Sequence, residues 1–490
     1  MSVFVAAAAT VLAVTATGPA SAFSPTAAPD DADRRVRLTK VSHDPYTNPN
    51  AYHQTELEPD TYAWGDTIVS VFQTGRFSDG GATNTGYATS IDGGETWTHG
   101  FMPNTTIYAD PPGPYARISD PVIAYDAKHA VWLANSLIVQ GSNPLVVNRS
   151  IDGGVTFKKP VIVSSTGVAY DKNWIVCDNW AASPHYGNCY VEVDDNGLGN
   201  LMMMFRSTDG GKTWTEADVP SASGLGGQPL AQPDGSVIVP YTGNFGSVQS
   251  LVSEDGGLTY TGPHFVATMT DRSVPFMRAP PLPTAEVDNN GKVYVVWQDC
   301  RFRSGCSSND MVMSTSNNGT SWSAVKRIPI DPVSGTVDHF IPGLGVDTST
   351  GGGSAHLALT YYYFPTDACS LETCKLFAGF VSSIDGGANW SAPRKVLGPL
   401  MLTWLPNANG RFVGDYVSTS FIDGRAYPVI ANAKAGSGDC TLGQITSCDE
   451  FMVAPRNGLA VTGGPIPLGT ETPVPDARSD HSPVVYPRLF

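Results

Sequence analysis

Ser207-Thr-Asp-Gly-Gly-Lys-Thr-Trp214 decides the fold of this chain, because it recurs. It returns as Ser90-Ile-Asp-Gly-Gly-Glu-Thr-Trp97 and Ser150-Ile-Asp-Gly-Gly-Val-Thr-Phe157. Further copies are Ser253-Glu-Asp-Gly-Gly-Leu-Thr-Tyr260 and Ser383-Ile-Asp-Gly-Gly-Ala-Asn-Trp390, and Thr315-Ser-Asn-Asn-Gly-Thr-Ser-Trp322 is a degenerate one. A repeat of this kind must be read before any single element. Asp-Gly-Gly supplies a tight hairpin turn, with glycine accepting positive φ. The carboxylate is placed to bond the loop's own backbone, and the closing aromatic to pack between sheets. These aspartates read as structural, not catalytic.

Between the turns runs a second recurring element, a strand of small and β-branched residues. Its copies are Gly65-Asp-Thr-Ile-Val-Ser-Val-Phe72, His129-Ala-Val-Trp-Leu-Ala-Asn135, Gly187-Asn-Cys-Tyr-Val-Glu-Val193 and Gly235-Ser-Val-Ile-Val-Pro-Tyr241. Gly291-Lys-Val-Tyr-Val-Val-Trp297, Ser354-Ala-His-Leu-Ala-Leu-Thr-Tyr361 and Gly424-Arg-Ala-Tyr-Pro-Val-Ile-Ala431 complete the series. Each turn follows such a strand, so one unit is one four-stranded blade. The last unit lacks the turn and ends near Glu450-Phe-Met-Val-Ala-Pro-Arg456. Arg35-Val-Arg-Leu-Thr-Lys-Val-Ser42 is like the strands after the turns, such as Trp390-Ser-Ala-Pro-Arg-Lys-Val-Leu397, and is expected as the outer strand of that last blade. The expectation is all-β: a seven-bladed β-propeller of four-stranded antiparallel blades over residues 35–460, closed by an N-terminal strand, which leaves no open sheet edge.

Ahead of it, the apolar run Val3 to Ala16 leads into Gly18-Pro-Ala-Ser-Ala22, which reads as a secretory signal over residues 1–22. Residues 23–34 are expected as a flexible segment, and 461–490 as a tail packed on the propeller or partly flexible. Eight cysteines fall into close pairs, Cys177/Cys189, Cys300/Cys306, Cys369/Cys374 and Cys440/Cys448. None has Cys-x-x-Cys spacing and no histidines cluster beside them, which disfavours zinc and favours disulfides in an oxidising compartment. The last three pairs follow the recurring strands of the last three blades and are expected to clip loops near the ring's face. Glycosylation sequons stand at Asn104, Asn148, Asn318 and Asn389. A formal net charge of −16 opposes nucleic acid and acidic membranes as partners. An acidic ligand would need a local cluster of arginines.

The recurring turn is the Asp box, and the chain resembles the sialidase-like Asp-box superfamily over nearly its whole mature length. That superfamily holds sialidases, other glycosidases, several polysaccharide lyases and non-enzymatic receptors, so the resemblance implies the architecture more firmly than an activity. True sialidases have six blades, an early Arg-Ile-Pro motif, an arginine triad, a Tyr–Glu nucleophile pair and an acid/base aspartate. No Arg-Ile-Pro occurs here; Met277-Arg-Ala-Pro280 and Arg117-Ile-Ser119 are the nearest forms. Gly414-Asp-Tyr-Val-Ser-Thr-Ser-Phe-Ile-Asp-Gly424 is similar to the sialidase stretch that holds the nucleophile, which would match Tyr416. Blade number and size are similar to polysaccharide lyases of the rhamnose–glucuronate type.

Propellers place their sites in the central funnel, so the polar residues ahead of each inner hairpin are the candidates. They are His53 and Gln54, Arg117 and Asp120, Asp171, Lys172 and Trp174, then Gln228, Arg278, Asp338 and His339, and finally Arg411, Asp415 and Tyr416. Loops beyond the hairpins add Arg76, Arg301 and Arg303. Arg278, Arg411, Arg117, Arg76, Arg301, Arg303 and Gln228 are expected to bind substrate, since guanidinium forks suit a carboxylate. An arginine at a blade edge serves equally well to bridge blades through carbonyls. Tyr416, His53 and His339 are the catalytic candidates, expected to converge with Arg278 and Arg411 on one face, the tyrosine among cations that favour its phenolate. Hydrolysis would have a tyrosine attack the anomeric carbon, with a glutamate beside it that the funnel does not offer. Elimination would have arginine neutralise a uronate while tyrosine or histidine takes the C5 proton. The sequence leans to a secreted, monomeric lyase of an acidic oligosaccharide or polysaccharide; sialidase-type hydrolysis and non-catalytic glycan binding stay open. No cofactor is required. Asp194-Asp-Asn196 offers oxygens of the kind calcium takes and reads more readily as a solvated turn.

Overall fold

The computed structural model describes Met1 and residues 35–139, 144–244, 246–366, 368–436, 440 and 448–474. The secretory signal and the flexible segment expected after it fall outside these residues, Met1 apart. The described residues from Val36 onward belong to one compact unit.

The described residues fold into successive antiparallel strand sets. The first is Glu56–Trp64, Thr67–Arg76, Ala82–Ser90 and Thr98–Phe101; the second is Ile118–Asp126, Val131–Ile138, Leu145–Ser150 and Val161–Ser164. Ala82 pairs with Ile118 and joins these two. The third is Tyr170–Cys177, Cys189–Asp195, Leu201–Ser207 and Thr215–Glu216. In the fourth, the short strands Gly224–Leu225 and Leu230–Ala231 both pair with Val237–Gly243, followed by Ser247–Ser253 and Thr261–Thr268. The fifth runs Thr284–Val287, Val293–Asp299, Asp310–Ser316 and Lys326–Arg327, and the sixth Asp338–Val346, Leu357–Phe364, Lys375–Ser383 and Arg394–Met401. The last is Ser418–Ile422, Arg425–Ala433 and Glu450–Pro455, and Leu38–Lys40 pairs with its outer strand in the register Leu38 to Pro455. Each recurring strand read from the sequence is the second strand of its set, except in the fourth, where two short strands precede it.

The first strands pack side by side in chain order. Glu56–Trp64 touches Ile118–Asp126, which touches Tyr170–Cys177, and so on to Ser418–Ile422, which lies against Glu56–Trp64. The apolar core sits between sets. Val122, Leu133 and Val147 of the second, for example, pack with Ile175, Val191 and Phe205 of the third. Ile466–Pro467 of the tail pairs with Asn389–Trp390, and Val474 N donates to Arg301 O at 2.9 Å.

All four cysteine pairs form the expected disulfides: Cys177–Cys189, Cys300–Cys306, Cys369–Cys374 and Cys440–Cys448. Their setting differs from that of surface clips. Cys300, Cys306, Cys374, Cys440 and Cys448 are buried, and only Cys369 is partly exposed. Cys374 belongs to the same apolar cluster as Leu376 and Phe364, and Cys440 and Cys448 pack with Tyr52. Cys306 turns its chain back at a φ of 52°. Sulfur bridges are apolar and carry no hydrogen-bonding demand, so they fill the core beneath these loops as well as tying them. The Cys177–Cys189 bridge joins cross-strand neighbours at the end of the first hairpin of the third set.

The Asp-box turns behave as their residues require. Asp209 Oδ1 accepts from the backbone N–H of Lys212 and of Thr213, each at 3.0 Å, and Oδ2 accepts from Thr213 Oγ1 at 2.7 Å. Gly211 N donates to Ser207 Oγ. In the degenerate copy Asn318 Oδ1 caps Thr320 and Ser321, and Ser316 rather than Thr315 takes the serine's place. Gly154, at φ +80°, has room for no side chain: a Cβ there would stand 2.5 Å from Val69 of the first set. Phe157 closes its turn edge-on against Tyr87 of the first set, with centroids 4.8 Å apart.

A second regularity lies in the first strands. Their registers slip between Leu57 and Asp60, Ser119 and Val122, Asp171 and Trp174, and Phe340 and Pro342. At these slips Glu58, Asp120, Lys172 and Ile341 hold φ of 58°, 47°, 49° and 51°. Such backbone is costly for residues with a side chain, and bulges of this kind re-aim side chains at functional sites.

Candidate functional site

The bulges bring four carboxylates around one lysine. Lys172 Nζ lies 2.6 Å from Asp415 Oδ2, 3.1 Å from Asp120 Oδ2 and 3.9 Å from both Glu58 Oε1 and Asp171 Oδ1. Arg278 grips Asp415 from the other side, Nε to Oδ1 at 2.9 Å and Nη2 to Oδ2. From Asp120 the network continues through Ser119 Oγ, which donates to Asp120 Oδ1 at 2.6 Å and accepts from Gln73 Nε2 at 3.1 Å. Gln73 also donates to Glu58 Oε2 and accepts from Arg76 Nη1 at 2.6 Å. Arg76 and Arg278 both lie over the Phe412 ring, 5.0 and 4.6 Å from its centroid.

Burial and charge split these acids. Burial opposes a charged Asp415, yet the Arg278 and Lys172 cations hold its carboxyl well below the usual range. Burial likewise opposes the Lys172 ammonium, and Asp120 and Asp415 outweigh it, raising its pKa. Glu58 is pushed up to about 8, first by burial and then by the Asp120 charge. Asp171 is raised by burial, with Lys172 working against it. Asp415 is therefore driven down and Glu58 and Asp171 up, the kind of division that separates acid from base in active sites.

A cleft of about 920 Å³ opens over the cluster, with Asp171, Lys172, Arg278 and Asp415 on its polar side and Leu225 and Met277 among its apolar residues. A small neighbouring pocket meets Arg76, Asp120, Asp171 and Arg278. Of the four carboxylates, only the Asp171 side chain reaches solvent appreciably, at 21%, against 1% for Glu58, 5% for Asp120 and none for Asp415. A third, small pocket is lined by Lys172, Asp415, Tyr416, Trp174 and Gln228.

The structure sorts the sequence candidates. Arg278 and Arg76 reach the cleft or its neighbour, and Gln228 lines the third cavity while bonding Ala285 N. Arg411 adjoins Arg278 through the main chain, but its guanidinium donates to the carbonyls of Leu405 and Cys440. Arg303 is fully buried on Asp310, Asp331 and three carbonyls. Arg301 holds Asp299 and Thr268 O, and Arg117 pairs with Asp79. His53 Nε2 lies 3.0 Å from Asn48 O. His339 is buried with Nδ1 3.2 Å from Asn309 O, and burial lowers its pKa. Neither histidine is among the residues that line these three pockets. Asp195 spends its carboxylate on the N–H groups of Val168, Ala169 and Gly197.

Tyr416 needs a correction. The sequence places it among cations that favour its phenolate. Its ring is instead buried edge-on against Trp174, its hydroxyl donates to Pro121 O at 3.1 Å, and its pKa is pushed far up by burial and by the Glu58 and Asp120 charges. Reading the sequence also missed the glutamate. Glu58 accepts from Asp415 N at 3.2 Å, next to Tyr416 in the chain. The signal was Glu56-Leu-Glu58-Pro59, two acids heading a strand.

The profile of a family described as the BNR/Asp-box repeat matches residues 205–216, the segment around Ser207–Trp214. The chain carries that repeat. A comparison with curated proteins finds no match. Among solved structures, the chain is similar to the Hadza microbial sialidase Hz136 at 15% identity and a TM-score of 0.44, over 63% of this chain and 65% of that one. It spans just under two thirds of that protein. A protein of unknown function from Dyadobacter fermentans is similar at 18% identity and a TM-score of 0.43, over 72% and 99%. Trypanosoma rangeli sialidase in complex with sialic acid is similar at 14% identity and a TM-score of 0.42, over 82% and 70%.

Proposed function

We propose that the chain is a secreted, seven-bladed β-propeller enzyme that hydrolyses the glycosidic bond of an acidic sugar in the cleft over Lys172. The blade count is supported by the strand sets whose first strands pack in order from Glu56–Trp64 round to Ser418–Ile422, and by Leu38–Lys40 pairing with the last set. Four disulfides support an oxidising compartment. Among the described residues no helix is long and apolar enough to cross a membrane.

One observation carries the chemical reading: Asp171, its proton favoured by burial and its side chain within reach of solvent, stands at the cleft beside an ionised Asp415. Asp171 gives its proton to the leaving oxygen as the bond to the anomeric carbon breaks and its electron pair passes to that oxygen. The buried carboxylates favour the positive charge that develops on the sugar. Water adds to the anomeric carbon, and the proton it releases restores Asp171. Arg76, whose buried Nε has no hydrogen-bond partner, and Arg278 beside it supply guanidinium donors for a sugar carboxylate. Hydrolysis is favoured over elimination because Tyr416, His53 and His339 are bonded to main-chain carbonyls and none stands free as a base, while Asp171 stands at the cleft as an acid.

Incubating the purified protein with sialylated, uronic and neutral oligosaccharides tests this. New free sugar from an acidic substrate, without ultraviolet absorbance of an unsaturated uronate, is expected. Such absorbance would establish elimination, and binding with no product would establish a lectin; either rejects the proposal.

A further inference from the structure

A second concentration of acid lies at the seam between the first and last strand sets. Glu450 is 1% exposed, and neither of its carboxylate oxygens has a hydrogen-bond partner. Its strongest electrostatic neighbour is Glu56, also 1% exposed, whose Oε2 accepts from Ser42 Oγ and whose Oε1 is unpartnered. Thr74, the cross-strand partner of Glu56, adds a further buried oxygen without a partner. Buried polar atoms are almost always satisfied, and a group of neighbouring oxygens without donors calls for something to sit between them.

The surrounding charge points the same way. Asp44 and Asp449 also act on Glu56, and Lys40 is the cation that opposes them. Arg76 is the cation acting on Glu450. Four carboxyl groups therefore face two cations. The available donors are all oxygen, from two carboxylates and a hydroxyl, the set that hard divalent cations prefer.

We propose that a divalent cation, calcium by the chemistry of its donors, binds between Glu56 and Glu450. The site joins the N-terminal segment to both sets. Met452 N donates to Ser42 Oγ at 2.8 Å, and Val41 N donates to Met452 O at 3.0 Å. An ion there pins the seam that brings the chain's first strand onto its last set.

The test is thermal melting of the full chain at pH 8, after chelation, with and without calcium or magnesium. Calcium is expected to raise the melting temperature by several degrees through mass action. Glu450→Gln is expected to abolish that response, and Glu56→Gln serves the same purpose if the first variant does not fold. Asp171→Asn, at the cleft, is expected to keep it. A native melt that no divalent cation shifts overturns the proposal. So does a calcium response that survives both glutamine variants, or one lost in Asp171→Asn alone.

Discussion

The same amino acid serves opposite ends in the outer turns and at the mouth of the inner strands. Asp92, Asp152, Asp209, Asp255 and Asp385 are exposed or half-buried. Each is bonded by its own loop within four residues, which outweighs what burial there is and holds the carboxyl below its ordinary range. Around Lys172 the partners come from other strand sets; Asp415 is 243 residues away. There burial contends with charge, and Asp171 and Asp415 are driven in opposite directions. A carboxylate satisfied locally is a clasp. One whose partners arrive only with the whole fold can be left protonated, and it is such a group that does chemistry.

Lys172→Met should sharpen this contrast most. It leaves Asp120 and Asp415 buried without their shared cation, a change that costs about 3–5 kcal/mol in comparable buried pairs. Urea unfolding measures it, and a cost no greater than that of losing an Asp-box aspartate would break the comparison.

The two regions should also pull stability in opposite senses with pH. Glu56, Glu58 and Glu286 at about 8 and Asp60 at about 7 make the folded chain hold more protons than the unfolded chain. Their contribution is intact below about pH 4 and declines as pH rises toward 8. The Asp-box carboxyls act the other way. Asp255 is opposed by burial but drawn to about 2 by its Thr259 bonds, so its contribution is present above about pH 4 and lost below. Unfolding followed from about pH 2 to 9 is expected to show greatest stability near about pH 4–5. A maximum above about pH 7 would contradict the protonated interior.

Smaller effects follow at single bonds. Asp209→Ala should cost about 1–2 kcal/mol, since several loop bonds go together but all can be replaced by water. Turnover should not change. Tyr416→Phe should cost about 0.5–1.5 kcal/mol, the worth of its bond to Pro121 O, and leave turnover in place. Abolished turnover in that variant would restore the tyrosine to the chemistry.

These regions also differ in how far they can be read from sequence. Ser207–Trp214 and its copies carry their whole structure in eight residues, because donor, acceptor and turn are neighbours. The strand sets and the cysteine pairs were legible for the same reason. That Cys306, Cys374 and Cys448 would be buried was not, because what covers them comes from elsewhere in the chain; Tyr52, against Cys448, belongs to its far end. Around Lys172, sequence position marked Asp120, Asp171, Asp415 and Arg278 as funnel residues. It could not say which would pair and which would stay protonated, because that depends on bulges set by contacts between sets. Glu58 was hidden by its place at such a bulge, with φ of 58°. Arg303, Arg301 and Arg411 read from sequence as arginines of the same kind as Arg278; all are held by carboxylates or carbonyls, and the difference that sequence does not show is that Arg278 and its partner Asp415 face the cleft.

Asp171→Asn tests the central claim most directly, with turnover of the cleaved acidic glycan and thermal melting measured on the same preparation. The variant keeps the shape of the side chain and removes its transferable proton. The expected result is an unchanged melting temperature with turnover lowered about 10²–10⁴-fold, the usual worth of a positioned general acid. Turnover within a few-fold of the native protein would contradict the account and move the chemistry away from the acids around Lys172.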